Sequence, residues 1–162
     1  MKRVCGYILL LFLCISCSKG VKYVSMPLTI HETFPIYFEK LDCDTLLLQD
    51  DLTHNFEVLL LNSQEDVQTY VEKRFLDAYP DLLNVDFSKY SLIVWTDFVF
   101  YDIRNRDIFV YWDNTYGCYR FFVNYKVGEL CDDDPYIERI AIVVDKMESG
   151  TKIEKGYGIS AP

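Results

Sequence analysis

Ser91-Leu92-Ile93-Val94-Trp95-Thr96-Asp97-Phe98-Val99-Phe100 is the stretch on which the fold turns. Alternate residues of an extended chain face opposite ways, so Ile93, Trp95 and Val99 share one side and Leu92, Val94, Phe98 and Phe100 the other. Neither side suits water. Such a strand is predicted to lie centrally in a sheet with both faces covered.

Downstream, Ile103 to Asp107 holds a polar stretch, Arg104-Asn105-Arg106, that predicts a turn. Ile108 to Trp112 and Cys118 to Val127 follow as a hairpin through Asp113-Asn114-Thr115-Tyr116-Gly117. The second strand alternates: Tyr119, Phe121, Val123, Tyr125 and Val127 on the core side, Cys118, Arg120, Phe122, Asn124 and Lys126 on the wet side. Gly128 to Pro135 reads as an acidic loop, Tyr136 to Asp145 as a strand, Ser149-Gly150 as a turn, and Thr151 to Glu154 as a last strand.

Upstream, Asn55 to Leu61 reads as a largely buried strand. Ser63 then offers a cap, Glu65 and Asp66 suit the positive end of a helix dipole, and Val67, Tyr70, Val71, Phe75 and Ala78 form one apolar stripe. A helix is expected from about Gln64 to Asp77, stopped by Pro80. Ile36 to Leu41 and Asp44 to Leu48 are short apolar runs of unassigned structure. Short turns between consecutive strands favour antiparallel neighbours, so the expected fold is α+β: an antiparallel meander sheet of five or six strands with one main helix packed on a face.

The first residues speak to location. Lys2 and Arg3 precede an apolar run, Tyr7 to Ile15, too short for a mature transmembrane helix and suited to a secretory signal. Cys14-Ile15-Ser16-Cys17 closes it with a small residue before a cysteine and resembles the lipobox of bacterial lipoprotein precursors, although Cys14 stands where Leu is usual. That resemblance implies cleavage before Cys17, a diacylglycerol thioether and an acylated amine (palmitate-type chains) on it, and a membrane anchor. The expected organisation is a signal peptide over 1–16, a lipidated N-terminus and tether over 17–35, and a single globular domain over 36–162. A second resemblance rests on Leu61-Asn62-Ser63-Gln64-Glu65-Asp66 and Val85-Asp86-Phe87-Ser88-Lys89-Tyr90-Ser91-Leu92-Ile93, which look like a group of small Bacteroidota lipoproteins with no established biochemical role. It implies an address and supports the fold, with no catalytic residues to carry over. Ser18-Lys19-Gly20 lacks the acids that follow the lipidated cysteine in many surface lipoproteins of that group, which places the expected site at the outer membrane facing the periplasm, ahead of the cell surface.

The chain is 51% apolar and 16% aromatic, which argues for a packed core and against disorder. Its formal charge is −9, and loss of Lys2 and Arg3 with the leader would move it two units further negative. So acidic a body is a poor partner for nucleic acid, whose phosphates are met by Lys and Arg, and anionic headgroups would repel it. Acyl chains, not surface charge, would hold it to a membrane. Beyond Cys17, Cys43, Cys118 and Cys131 remain, so at most one internal disulfide can form. Cys118 and Cys131 lie at opposite ends of one expected strand, which disfavours that pair.

No Gly-x-Ser-x-Gly and no Gly-rich phosphate loop is present. His54 with Cys43 or Cys118 would be the nucleophile and base of an enzyme, but no spacing selects them. Asp132-Asp133-Asp134 offers oxygen ligands without the regular calcium-loop pattern, so no metal or cofactor is expected. Tyr101, Tyr111, Trp112, Tyr116 and Tyr119 crowd one hairpin. Parity sends Trp112 and Tyr119 to the core and leaves Tyr101 and Tyr116 free to stack on a glycan or a partner protein. Arg104 and Arg106 form a local basic turn suited to an acidic ligand. These features together point to a lipid-anchored envelope protein acting as a non-catalytic binding or accessory module. The alternative from another class is a small envelope enzyme or enzyme inhibitor.

Overall fold

The computed structural model describes residues 27–35, 37–40, 58–99, 101–130 and 136–160. Within them the chain runs β1 (Ile30–Thr33), β2 (Tyr37–Lys40), β3 (Val58–Leu61), α1 (Gln64–Tyr70), α2 (Lys73–Ala78), a 3-10 turn (Pro80–Asn84), β4 (Tyr90–Val99), β5 (Tyr101–Asp113), β6 (Cys118–Leu130), β7 (Tyr136–Asp145) and β8 (Ile153–Ser160). Cys17, Cys43, His54, Cys131 and Asp132, Asp133 and Asp134 lie outside the described residues, as do the run Asp44 to Leu48 and the first part of the strand expected from Asn55.

The expected central strand is there, and both its faces are covered. β4 lies between β3 and β7 in a five-stranded sheet whose far edge is β1 and β2, both paired to β7. Leu92 and Val94 face a helical layer with Val67, Val71, Phe75 and Leu82, while Ile93 and Trp95 face a second sheet, β5-β6-β8, with Val110, Phe121 and Val123. The molecule is therefore α+β in three layers: short helices, a five-stranded sheet and a three-stranded sheet.

The strands do not form a meander, and the reason is geometric. β4 pairs with β7 and β5 with β6, from Tyr90↔Asp145 to Val99↔Tyr136 in one sheet and from Tyr101↔Leu130 to Asp113↔Cys118 in the other. The two pairs, β4-β7 and β5-β6, are halves of one long two-stranded ribbon doubled over so that one half lies in each sheet. Doubling lets the inward faces of both halves bury each other, which a flat meander carrying one helix cannot do for so many apolar residues. β8 then joins β6 in parallel, reached through the whole of β7.

Three further expectations change. The helix from Gln64 to Asp77 is two helices, interrupted where Val71 turns extended and Glu72 takes the N-cap position of α2 without a side-chain capping bond. Arg139 on β7, almost wholly buried, donates to Glu72 Oε1 at 2.6 Å, so the interruption gives a buried cation its carboxylate. Tyr70 and Ala78 leave the stripe for the surface. The turn expected at Arg104-Asn105-Arg106 is strand, with register shifts between Tyr101 and Asn105. The stretch assigned to the tether is built into the sheets from Pro27: Leu28 N–H donates to Val110 O at 2.7 Å, β1 pairs with β7, and Phe34 is buried.

A polar cluster sits between the sheets. Glu138 is fully buried, accepts from Arg106 Nε and from Tyr125 Oη at 2.6 Å, and faces Asp97, which accepts from Lys155 Nζ at 2.8 Å. Burial pushes the Glu138 carboxyl above the ordinary range, against the pull of the Tyr125 hydrogen bond and the Arg106 charge. Burial likewise raises the Tyr125 phenol, and the Glu138 charge adds to the rise. Lys155 is also an inward-pointing charge on an edge strand, a device that discourages edge-to-edge association.

Candidate functional site: the tip of the β5-β6 hairpin

The hairpin turn is local chemistry. Asp113 Oδ1 accepts from Thr115 N–H at 2.9 Å, Gly117 N–H donates to Asp113 O at 2.8 Å, and Gly117 takes φ 62, which glycine adopts without strain. β5 and β6 each run three residues longer than β4 and β7. Their tip reaches past the end of the opposing sheet. Trp112 and Tyr119, a cross-strand pair on the inner face, thus stand where β4 and β7 no longer cover them. Sequence parity assigned both to the core. The structure leaves Trp112 37% exposed and Tyr119 half-buried, their rings edge to face at 5.1 Å. Parity tells which face a residue is on and not whether anything lies opposite.

Beneath this overhang opens a cleft of about 460 Å³, within the range of small-molecule sites. Trp112, Tyr119, Gly117 and Leu28 line its sheet side, and Met147 with its neighbours and Thr151 and Lys152 form the facing wall from the β7-β8 connection. That wall is clamped. Met147 N–H donates to Ser91 Oγ at 2.9 Å, Ser91 Oγ donates to Asn62 Oδ1 at 2.6 Å, and Lys146 Nζ donates to Phe87 O at 2.7 Å and Asn62 O at 3.1 Å. The indole is held too, by Nε1 donating to Asn114 Oδ1 at 3.0 Å. Asn62, Phe87 and Ser91 therefore brace the cleft from behind. Asp86, nearby in the chain, accepts from Ser88 and Lys89 and stays local.

On the outer side of the tip, Tyr116 is 64% exposed with the Arg120 guanidinium 4.4 Å from its ring centroid. Arg120 is neutralised in turn, by Asp113 at 3.1 Å and Glu154 at 3.5 Å. Phe109 lies exposed further along this face, opposite Phe122, whose ring rests on Gly156 and Gly158 of β8.

The remaining expected site residues are spread out. Arg104 is exposed near the fold of the ribbon, beside Gly128. Arg106 is turned inward onto Glu138. Tyr101 pairs through its backbone with Leu130, at the end of the ribbon away from the tip. Cys118, under the turn, is a buried free thiol that burial pushes up, which disfavours the nucleophilic thiolate. Among the described residues no three His, Cys, Asp or Glu side chains group as a metal site. No family model, curated protein or solved structure matches the chain.

Proposed function

We propose that this protein is a lipid-anchored component of the bacterial cell envelope that works by non-catalytic contact, and that its contact site is the hairpin tip. One observation carries the placement. At the tip the exposed Trp112 and the half-buried Tyr119 face a clamped wall across an open cleft, on the face where Val110, Phe121 and Val123 are fully buried. Rigid aromatics over a preformed cavity bind at low entropic cost. The lipobox-like sequence ending at Cys17, and the resemblance of residues 61–66 and 85–93 to small Bacteroidota lipoproteins, support the envelope address. An outer-membrane site facing the periplasm would set the tip among envelope proteins and glycans.

The test uses the full lipidated chain in its own membranes, with a photo-crosslinking residue placed at Tyr116 and, in a second strain, at Tyr70, which is as exposed on the helical layer. Mass spectrometry of the same material checks for diacylglycerol on Cys17. Crosslinked product from position 116 and none from position 70 is the expected outcome. Equal yields from both positions, or none from either, would overturn the placement, and an unmodified Cys17 would overturn the anchor.

A further inference from the structure

We infer that the cleft under the hairpin tip takes a neutral sugar, stacked by its C–H face on Trp112 and held at its hydroxyls by the polar rim. The inference rests on the tip being the contact site and adds the chemistry of what it holds.

Charge balance is the first support. Asp145 and Glu148 stand with Lys146 and Lys152 around a cleft in a chain of formal charge −9. Three of these charges are already engaged: Lys146 on two carbonyls, Asp145 on His31 at 2.7 Å, and Lys152 on Glu154. An ionic ligand would have to displace those partners, whereas a neutral one need not.

The second support is the mixture of surfaces. Trp112, Leu28 and Met147 supply an apolar floor and wall, while carboxylates, ammonium groups and the Thr151 hydroxyl stand at the rim. A purely apolar ligand would strip water from that rim with nothing returned. A pyranose has the matching division, with axial C–H bonds on one face and hydroxyls around its edge that donate to carboxylates and accept from ammonium groups. Preorganisation is the third support. The indole is fixed by Asn114 and the facing wall by Ser91, so the gap is set before the ligand arrives.

The intact protein would be titrated with neutral disaccharides of glucose, galactose, mannose and N-acetylglucosamine, and with a uronic-acid disaccharide as the charged comparator. Heat and tryptophan emission would both be followed. Trp95 is fully buried, so a blue shift on binding reports Trp112. At least one neutral sugar should bind, with an affinity unchanged between low and high salt and at least tenfold weaker in Trp112→Ala. If that variant melts early, Trp112→Leu makes the same comparison with bulk but no π face. Absence of binding by every neutral sugar, tighter salt-sensitive binding of the uronate, or full affinity in both Trp112 variants would overturn the inference. Its failure is separable from that of the tip. If no sugar binds but Trp112→Ala abolishes crosslinking from position 116, the ligand class falls and the site stands. If crosslinking is unchanged, the site falls with it.

Discussion

Asp97 and Glu138 stand directly opposite each other on β4 and β7, two carboxylates on one face of one sheet, and each meets a cation carried by the other sheet, Lys155 and Arg106 respectively. Like charges so placed repel, so each cation does two things: it neutralises a carboxylate, fully buried in Glu138 and partly buried in Asp97, and it ties the sheets together. Arg106→Met, which strands the Glu138 carboxylate, should destabilise by about 3–5 kcal/mol. Arg106→Met with Glu138→Leu should recover most of that loss. Urea denaturation of the two variants checks both. A single variant no less stable than wild type would show that the pair does not hold the sheets.

The two tryptophans should separate cleanly. Trp95 is fully buried, with Phe121 and Tyr125 stacked at 5.6 and 5.9 Å, and Trp95→Ala should lose about 3–5 kcal/mol. Trp112→Ala removes a ring that the overhang leaves partly in water and should lose about 1–2 kcal/mol. Thermal melts of both rank them, and an equal loss would mean that the cleft is closed in solution.

Gly117 tests the turn. A Cβ there meets nothing within 4 Å, so any cost is backbone strain alone. With φ 62, Gly117→Ala should cost about 1 kcal/mol, Gly117→Val more and Gly117→Asn least, because Asn tolerates the left-handed region. A melting series gives that order directly.

Acid should expose the Asp86 turn. Ser88 first, then Lys89, hold the Asp86 carboxyl down from 3.8 to about 2. The unfolded chain then binds the proton more readily, so this contribution is present above pH 3.8 and disappears as pH falls through about 2. Denaturation midpoints of wild type and Asp86→Asn between pH 2 and 5 should converge at the acid end. Parallel curves would mean that the turn is open in solution.

The parts of the fold legible in the sequence were those written by local alternation. Both faces of β4 and the inward set from Tyr119 to Val127 follow from side-chain parity, and the Asp113-to-Gly117 turn from its glycine. The choice of strand partners was not legible. β4 passes over its neighbour β5 to pair with β7 because the ribbon doubles back, and no residue near Val99 announces that. The break at Val71 and Glu72 answers to Arg139, 67 positions away, and the extended backbone around Arg106 answers to Glu138, 32 away. For the site, the crowding of aromatics on one hairpin was visible. That Trp112 and Tyr119 overhang was not, since it depends on where the opposite sheet stops.

The first described strand is among the last to be satisfied. β1 lies along β7, and His31 meets Asp145 across 114 positions of sequence. A chain made from its N-terminus must therefore wait for nearly all of its length before this edge can close. Until then β1 has no partner strand and is open to any other extended polypeptide. Folding of this protein should be slow and dependent on protection from neighbours, a cost that arises from where one short strand sits in the order of synthesis.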